Sequence, residues 1–250
     1  MCILIVLRGL HADHPLVVAA NRDERFDRSS APPGLFVGRH RRMLSPRDKV
    51  AGGTWLAIDD GGRLAGITNL AGVPPVPDAP SRGLLPHLAL DEATLEAGAA
   101  AVERQVAEHR YAGFQLVLAD ARRTIVLRHR DGQLRRIDWE PPVLVVTNEH
   151  GPGELQLRGL SRAAAPGIDL QTRLDLLAAV LADRGGDGFH AITKRGDGYG
   201  TVSSSLLALP VADPTQLVWR FAPGPPDTTA YRNYGNLGRR LLPEELPPPG

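Results

Sequence analysis

Short segments typical of β-strands, most of them apolar, recur along this 250-residue chain, with two helix-like ranges between them. These segments are 2–7, 16–20, 55–58, 64–69, 114–119, 124–129, 134–138, 143–147, 199–210 and 216–222. The ranges 84–109 and 169–184 have the composition typical of helices. Because strands and helices come in groups, the order predicts one α+β domain with helices packed on antiparallel sheets.

Proline, glycine and serine mark the connections between these elements. Loops are predicted at 28–38 and 73–80, where these residues cluster. The whole chain, 1–250, is interpreted as a single domain, and the proline-rich tail 242–250 is expected to be loose. The loops 28–48 and 73–81 are expected to shape any binding pocket, and they do not indicate its ligand.

Composition excludes several classes of function. The apolar content of 42% and charged content of 23% are those of a globular protein, and a net charge of +1 gives no broad attraction to nucleic acid. One cysteine allows neither an internal disulfide nor a multi-cysteine zinc site. The first apolar run ends at Arg8, too early for a signal peptide or a membrane span. A soluble cytoplasmic protein is therefore expected, with no nucleic-acid partner.

The single cysteine, Cys2, directly follows the initiator methionine. Methionine aminopeptidase removes Met1 before small residues, so the mature chain is expected to begin with a residue that carries both a thiol and a free α-amine. The thiolate is a nucleophile, and an amine with a pKa of about 7.7–8.0 can act as its base. Alternatively, Cys2 is a small apolar residue at the start of a buried strand. Position alone favours neither interpretation.

Polar residues follow several of the predicted strands. They lie at 21–24, at 68–69 and at 147–148. Burying polar groups is costly unless they are paired, so polar strand ends are a common way for a sheet to present an active site. Ordinary turn chemistry explains any one of these clusters equally well.

Taken together, short motifs give the chain a family resemblance. They are AANRDE at 19–24, GGTWLA at 52–57, ITNLAG at 67–72, SRG at 81–83, VVTNE at 145–149 and YGTVSS at 199–204. In combination with Cys2, they resemble the NRDE family, of the transport and Golgi organisation 2 type. The resemblance implies an N-terminal-nucleophile (Ntn) hydrolase fold, a four-layer αββα sandwich of two antiparallel sheets between helices. More distantly it implies a likeness to choloylglycine hydrolase and penicillin V acylase.

The resemblance assigns catalytic roles to residues of this sequence. Cys2 matches the nucleophile and Asp23 the carboxylate that holds the free amine. Asn69 matches the oxyanion-hole asparagine, Asn148 an asparagine near the amine, and Arg22 an arginine beside the thiol. A second arginine, late in the chain of those hydrolases, has no counterpart, because Val202 stands at the nearest position.

Three further residues are candidates for binding substrate: Asn21, Trp55 and Arg82. Trp55 is equally compatible with core packing, and Arg82 with an ion pair to a nearby carboxylate. The histidines have no metal-ligand spacing, so neither a metal nor another cofactor is expected.

These observations predict a hydrolase that cleaves a linear amide or thioester of a small molecule by acyl transfer to Cys2. The family resemblance also implies an alternative of another class. In it the protein binds or carries haem or another amphipathic ligand, with Cys2 or a histidine as an axial ligand.

Overall fold

Two antiparallel sheets are stacked face to face in the computed structural model, which describes residues 2–74, 76–186 and 190–242. In this described part, the first sheet has six strands: β1 (Ile3–Arg8), β2 (Leu16–Arg25), β10 (Val143–Thr147), β11 (Tyr199–Leu209), β12 (Val218–Ala222) and β13 (Arg232–Asn233). The second has seven: β3 (Ser30–Val37), β4 (Arg42–Asp48), β5 (Leu56–Asp59), β6 (Leu64–Asn69), β7 (Phe114–Ala119), β8 (Thr124–Arg130) and β9 (Gln133–Asp138). The strand order is β10-β1-β2-β11-β12-β13 in the first sheet, and the second follows chain order from β3 to β9.

Helices cover the outer face of each sheet. They are α1 (Leu85–Leu90), α2 (Leu95–Glu108), α3 (Leu160–Ala163) and α4 (Leu170–Leu181). Helices α1 and α2 pack on the second sheet, and α3 and α4 pack on the first. The layers therefore follow the order helix, sheet, sheet, helix, and the predicted αββα fold class is confirmed.

Strand β1 shows why two cores form. Its side chains alternate, so Leu4 and Val6 pack between the sheets while Ile3 and Ile5 face α3 and α4. A strand buried on both faces is apolar throughout, as the sequence indicated. Each fully buried aliphatic side chain contributes about 1.5–3 kcal/mol, which makes this strand a firm anchor for the residue before it, Cys2.

The predicted helix at 84–109 is wrong in one respect, because two helices occupy this range. The first helix ends at Leu90, and the side chain of its C-cap residue, Asp91, accepts hydrogen bonds from the backbone N–H groups of residues 39–41. Thr94 then caps α2 through its hydroxyl, 3.1 Å from the nitrogen of Ala97. Helix α2 crosses α1 so closely that a Cβ on Gly98 would lie 2.4 Å from the carbonyl oxygen of Ala89.

The predicted loop at 28–38 is also wrong, since it contains β3. The prolines at 32 and 33 made this segment resemble a loop in the sequence. The strand lies at the edge of the sheet, and its pairing changes register between Ala31 and Gly34. Proline is tolerated at such positions because no ladder hydrogen bond is lost. Strand β4, equally unforeseen, follows it. Both strands belong to the region expected to shape the pocket.

Strand β2 runs five residues further than predicted, through Arg25. Strand β11 pairs with it along its whole length, from Leu209 opposite Leu16 to Tyr199 opposite Arg25. The polar residues 21–24 therefore lie inside a strand, not after it. This extension is what brings charged side chains to the end of the sandwich near Cys2.

Other elements match their predictions closely. Strands β6, β7 and β10 have the predicted bounds, and Asp169 is the N-cap of α4, accepting a hydrogen bond from the nitrogen of Thr172 at 2.9 Å. Positions 243–250 of the predicted tail lie outside the described residues, and the assignment of 1–250 to one domain stays a prediction. Among the described residues, no helix combines the length and apolar character needed to cross a bilayer.

Candidate active site

A cleft of about 230 Å³ opens where the polar end of β2 meets the end of β6 and the 3-10 turn Arg82–Leu84. Its lining combines one thiol, three arginines and three carboxylates with a few apolar and small groups. The described residues that line it are Cys2, Arg22, Asp23, Glu24, Arg28, Asp48, Thr54, Trp55, Ile67, Asn69, Ser81, Arg82 and Gly83. Six of the predicted catalytic or binding residues therefore line the same cleft. They are Cys2, Arg22, Asp23, Trp55, Asn69 and Arg82.

Cys2 is held at the cleft by the strands on both sides of β1. Ile3 pairs with Asn21 of β2 and with Thr147 of β10, which places Cys2 between the polar ends of both. The Cys2 thiol donates a weak hydrogen bond to the carbonyl oxygen of Asp23, at 3.4 Å. The carbonyl of Cys2 accepts a hydrogen bond from the nitrogen of Asn148 at 3.2 Å. Backbone pairing on both sides thus fixes the position of Cys2 at the cleft.

The Cys2 thiol is protonated at neutral pH in the chain that includes Met1. The residue is only partly exposed, and burial of the thiol raises its pKa to about 11. The negative charge of Asp23 acts in the same direction, whereas Arg22 and the backbone hydrogen bond at Asp23 oppose it. A thiol in this state can act as a nucleophile only with a base close to it.

Asp23 is the buried carboxylate of the site. Its Oδ1 accepts a hydrogen bond of 2.6 Å from the hydroxyl of Thr201 on β11, and its backbone carbonyl accepts one of 3.1 Å from Tyr199. Burial raises the pKa of Asp23, and the Thr201 hydrogen bond and the charge of Lys194 oppose this rise. The ladder shifts register between Thr201 and Ser203, so Val202 is the residue at the irregularity.

The side chain of Arg22 lies on the face of β2 opposite to that of Asp23, in the space between the two sheets. Its guanidinium lies 4.5 Å from the centre of the Trp55 ring, a cation–π distance. Its carboxylate contacts are long, 3.5 Å to Asp48 and 3.6 Å to Glu24, and Nη1 has no partner among the described residues. Burial lowers the pKa of Arg22, and the charges of Glu24 and Asp48 offset part of this effect.

Arg28 was not named among the predicted site residues, although the range 28–48 was expected to shape the pocket. Its Nε donates to Asp48 Oδ2 at 2.8 Å, while Asp48 Oδ1 accepts from the nitrogens of Val50 and Ala51. Asp48 therefore organises the turn before the GGTW motif. Only the pairing of β3 with β4 brings Arg28 and Asp48 together.

Two glycines set the distance between Trp55 and Arg82. The nitrogen of Thr54 donates to the carbonyl of Gly83 at 2.8 Å, and a Cβ on Gly53 would lie 2.3 Å from that oxygen. The GGTW and SRG motifs are thus two halves of one tight contact at the cleft wall. Asn69, at the end of β6, adds an exposed side chain to the same wall.

Two predicted residues have other surroundings. The side chain of Asn21 is buried and donates to the carbonyl of Leu181 at the end of α4, so its predicted contact with substrate has no support in this geometry. Asn148 reaches Cys2 through its backbone and does not line the cleft, and its Oδ1 is buried without a partner among the described residues. In the described part of the chain, no group of three potential ligand side chains is arranged to hold a metal.

Solved structures of low sequence identity share this architecture. The Caenorhabditis elegans N-acylethanolamine-hydrolyzing acid amidase ortholog superposes with a TM-score of 0.55 at 12% identity, covering 83% of this chain and 92% of that one. A single-residue variant of the conjugated bile acid hydrolase from Clostridium perfringens gives 0.53 at 12% identity, covering 93% and 96%. The chain therefore has the fold of the Ntn hydrolases.

Sequence comparison then identifies the family. The model described as Transport and Golgi organisation 2 matches residues 1–158, and the chain belongs to that family, the NRDE family predicted from its motifs. The mouse Transport and Golgi organization 2 homolog is 35% identical over 109 residues, and the human protein of that name is 35% identical over 113. Each alignment covers 42% of this chain and 38% of the relative.

Proposed function

We propose that this protein is an N-terminal cysteine hydrolase that cleaves a linear amide or a thioester of a small molecule by acyl transfer. The observation that carries this proposal is the position of Cys2, which lines a polar cleft together with Asp23 and Asn69. An inert cysteine is usually packed among apolar side chains. The structural relatives support the same class of chemistry through their fold.

The first step is attack by sulfur. Once Met1 is removed, the α-amine belongs to Cys2 itself and takes the proton of the thiol, and the thiolate forms a bond to the substrate carbonyl carbon. Asp23 and the buried Oδ1 of Asn148 are the acceptors that would orient this amine. This arrangement explains how a thiol with a pKa of about 11 before processing becomes a nucleophile at neutral pH.

The second step is collapse of the tetrahedral intermediate. The side-chain amide of Asn69 donates to the oxyanion, a contact worth about 3 kcal/mol of the barrier in comparable sites. The α-ammonium returns its proton to the leaving amine or thiol as the carbon–nitrogen or carbon–sulfur bond breaks. Water then adds to the thioester on Cys2, with the amine as base, and releases the acid. Arg22 stabilises negative charge on sulfur.

Haem or amphipathic-ligand binding is the alternative, and the described geometry does not favour it. No histidine lines the cleft among the described residues, and six of its lining residues are arginines or carboxylic acids. Haem titration tests it: a Soret shift that disappears in Cys2→Ala would support the alternative.

The experiment that tests the hydrolase uses one protein in two states. The chain is produced behind a leader whose proteolytic removal leaves Cys2 as the first residue, and acyl anilides and acyl thioesters are assayed before and after cleavage. Turnover is expected only after cleavage, because only then does the residue carry a free amine. Cys2→Ala, cleaved in the same way, should lose turnover by at least about 1000-fold.

Two outcomes would contradict the proposal. One is equal turnover before and after removal of the leader. The other is cleaved Cys2→Ala that keeps its activity. Circular dichroism spectra of all forms provide the control that the fold is unchanged.

A further inference from the structure

Arg82 is the cation of the cleft that has no ion pair among the described residues. Arg28 is paired with Asp48 at 2.8 Å, and Arg22 shares Asp48 and Glu24 at longer distances. Two arginines thus balance two carboxylates. The third carboxylate, Asp23, is the proposed partner of the α-amine, which leaves the charge of Arg82 uncompensated.

One contact holds Arg82 in place. Its Nη1 donates to the carbonyl oxygen of Gly113 at 2.8 Å, and the described residues offer its other guanidinium donors no hydrogen-bond partner. The residue is partly buried, and burial lowers the pKa of Arg82, while the Cys2 thiolate, once formed, and the Glu24 carboxylate act in the opposite direction. An unpaired guanidinium that has lost part of its hydration is costly unless an anion completes the site.

A second observation points to the same ligand chemistry. Arg22 is only 4% exposed, yet its Nη1 has no acceptor among the described residues, and Arg22 lines the same cleft. The hydroxyl of Ser81 accepts a hydrogen bond from the nitrogen of Gly83 and keeps its own proton to donate. The cleft wall beside Cys2 therefore has hydrogen-bond donors for which the described residues provide no acceptor.

We propose that Arg82 binds a carboxylate of the substrate, so that the preferred substrates are acyl amides or thioesters that carry an anionic group close to the scissile bond. The planar guanidinium matches a carboxylate in a bidentate contact. Ser81 adds a neutral donor to the same oxygens. This inference rests on the proposed function for the identity of the ligand as substrate, and the binding experiment below does not depend on turnover.

The test measures binding to Cys2→Ala, which cannot form the thioester. Calorimetry compares N-dodecanoylglycine, which has a carboxylate, with N-dodecanoylglycinamide, its neutral counterpart of nearly equal size. We expect the carboxylate to bind at least about tenfold more tightly, because charge-assisted hydrogen bonds are stronger than neutral ones. In a Cys2→Ala, Arg82→Gln protein, the two probes should bind equally. Cys2→Ala, Arg82→Lys should keep part of the preference.

The matched control is Arg136→Gln in the Cys2→Ala background. Arg136 is similarly half-buried but pairs with Glu96 and Asp138 outside the cleft, so this change should leave the preference intact. Unfolding temperatures of all variants show whether the Gly113 contact is needed for folding. Absence of a preference in Cys2→Ala, whether both probes bind equally or neither binds, would overturn the inference, as would a preference that survives Arg82→Gln. Failure of the hydrolase alone would leave this preference unchanged.

Discussion

A buried arginine lies beside carboxylates near each end of β6, Arg63 just before the strand and Arg22, from β2, at the cleft where the strand ends. The two arginines make different contacts. At the start of β6, the side chain of Arg63 donates hydrogen bonds of 2.6–2.8 Å to Asp59 and to the carbonyls of Leu90 and Glu92. At the other end, beside Asn69, Arg22 makes one side-chain hydrogen bond, of 3.5 Å, to Asp48.

We interpret this difference as one between a contact that stabilises the fold and a contact that belongs to the proposed active site. Nη1 of Arg63, like that of Arg22, has no hydrogen-bond partner among the described residues, so the difference lies in the other contacts. The short contacts of Arg63 offset much of the lost hydration of both ions and fix the β5–β6 turn, where Asp59 Oδ1 also accepts from the nitrogen of Gly61. The long contacts at Arg22 compensate less, and they leave its charge available to a thiolate or a ligand. Buried charges that are incompletely paired are a recurrent feature of functional sites.

The largest expected effect is on stability at the Arg63 end. Arg63→Gln leaves the Asp59 carboxylate buried without its cation and should lower the free energy of unfolding by about 3–5 kcal/mol. Arg22→Gln, the matched change at the other end, should cost about 1 kcal/mol or less, since Arg28 still pairs with Asp48. Urea unfolding measures the free energy of unfolding of both variants. Equal decreases in the two variants would contradict the proposed difference between the two arginines.

Asn69→Ala tests the cleft end directly. Removing the proposed oxyanion donor should reduce kcat by about 100-fold or more, with little change in unfolding temperature because the side chain is exposed. Asn236→Ala removes another exposed asparagine, outside the cleft, and should change neither quantity. A kcat that stays within a factor of about three for Asn69→Ala would remove this residue from the mechanism.

A smaller effect is expected from pH, at a buried histidine beyond the cleft. His87 stacks on Phe36 at 4.0 Å and contacts the Ser45 hydroxyl at 3.0 Å, and burial lowers its pKa from 6.5 to about 4. Between pH 6.5 and pH 4 the unfolded chain takes up a proton that the folded chain does not. Stability should therefore fall as the pH drops, by about 2 kcal/mol from pH 7 to pH 5.

His87→Gln is the control for this pH dependence. Its free energy of unfolding, measured in urea at pH 7 and at pH 5, should decline by about 2 kcal/mol less than that of the parent protein. An identical decline in both proteins would show that His87 is not the titrating group.

Much of the fold could be predicted from sequence, because strands buried on both faces leave long apolar runs. Strands β6, β7 and β10 are such cases. Strand β3 could not be foreseen, since its two prolines mimic a loop and only its edge position makes them tolerable. The extension of β2 depends on β11, a partner about 180 residues away in the chain.

The candidate site divides in the same way. Motifs located Cys2, Asp23, Asn69 and Arg82. Their common cleft depends on strand pairing and, for Arg82, on the hydrogen bond between Thr54 and Gly83. The role of Arg28 in the cleft could not be predicted from the sequence, because its contact with Asp48 forms only when β3 pairs with β4. The contact of Asn21 with α4 was equally hidden, since a sequence does not show which face of a strand a helix covers.

The central claim, that sulfur and a free amine act together on Cys2, is tested most directly by the pH dependence of thiol alkylation. The rate with iodoacetamide is measured before and after the leader is removed, and the adduct is located by mass spectrometry. Before removal the rate should rise with a midpoint near pH 11, as burial dictates. After removal the adduct should remain on Cys2, the midpoint should fall, and the rate at pH 7 should increase by at least about tenfold. The same midpoint and rate in both states would contradict the claim.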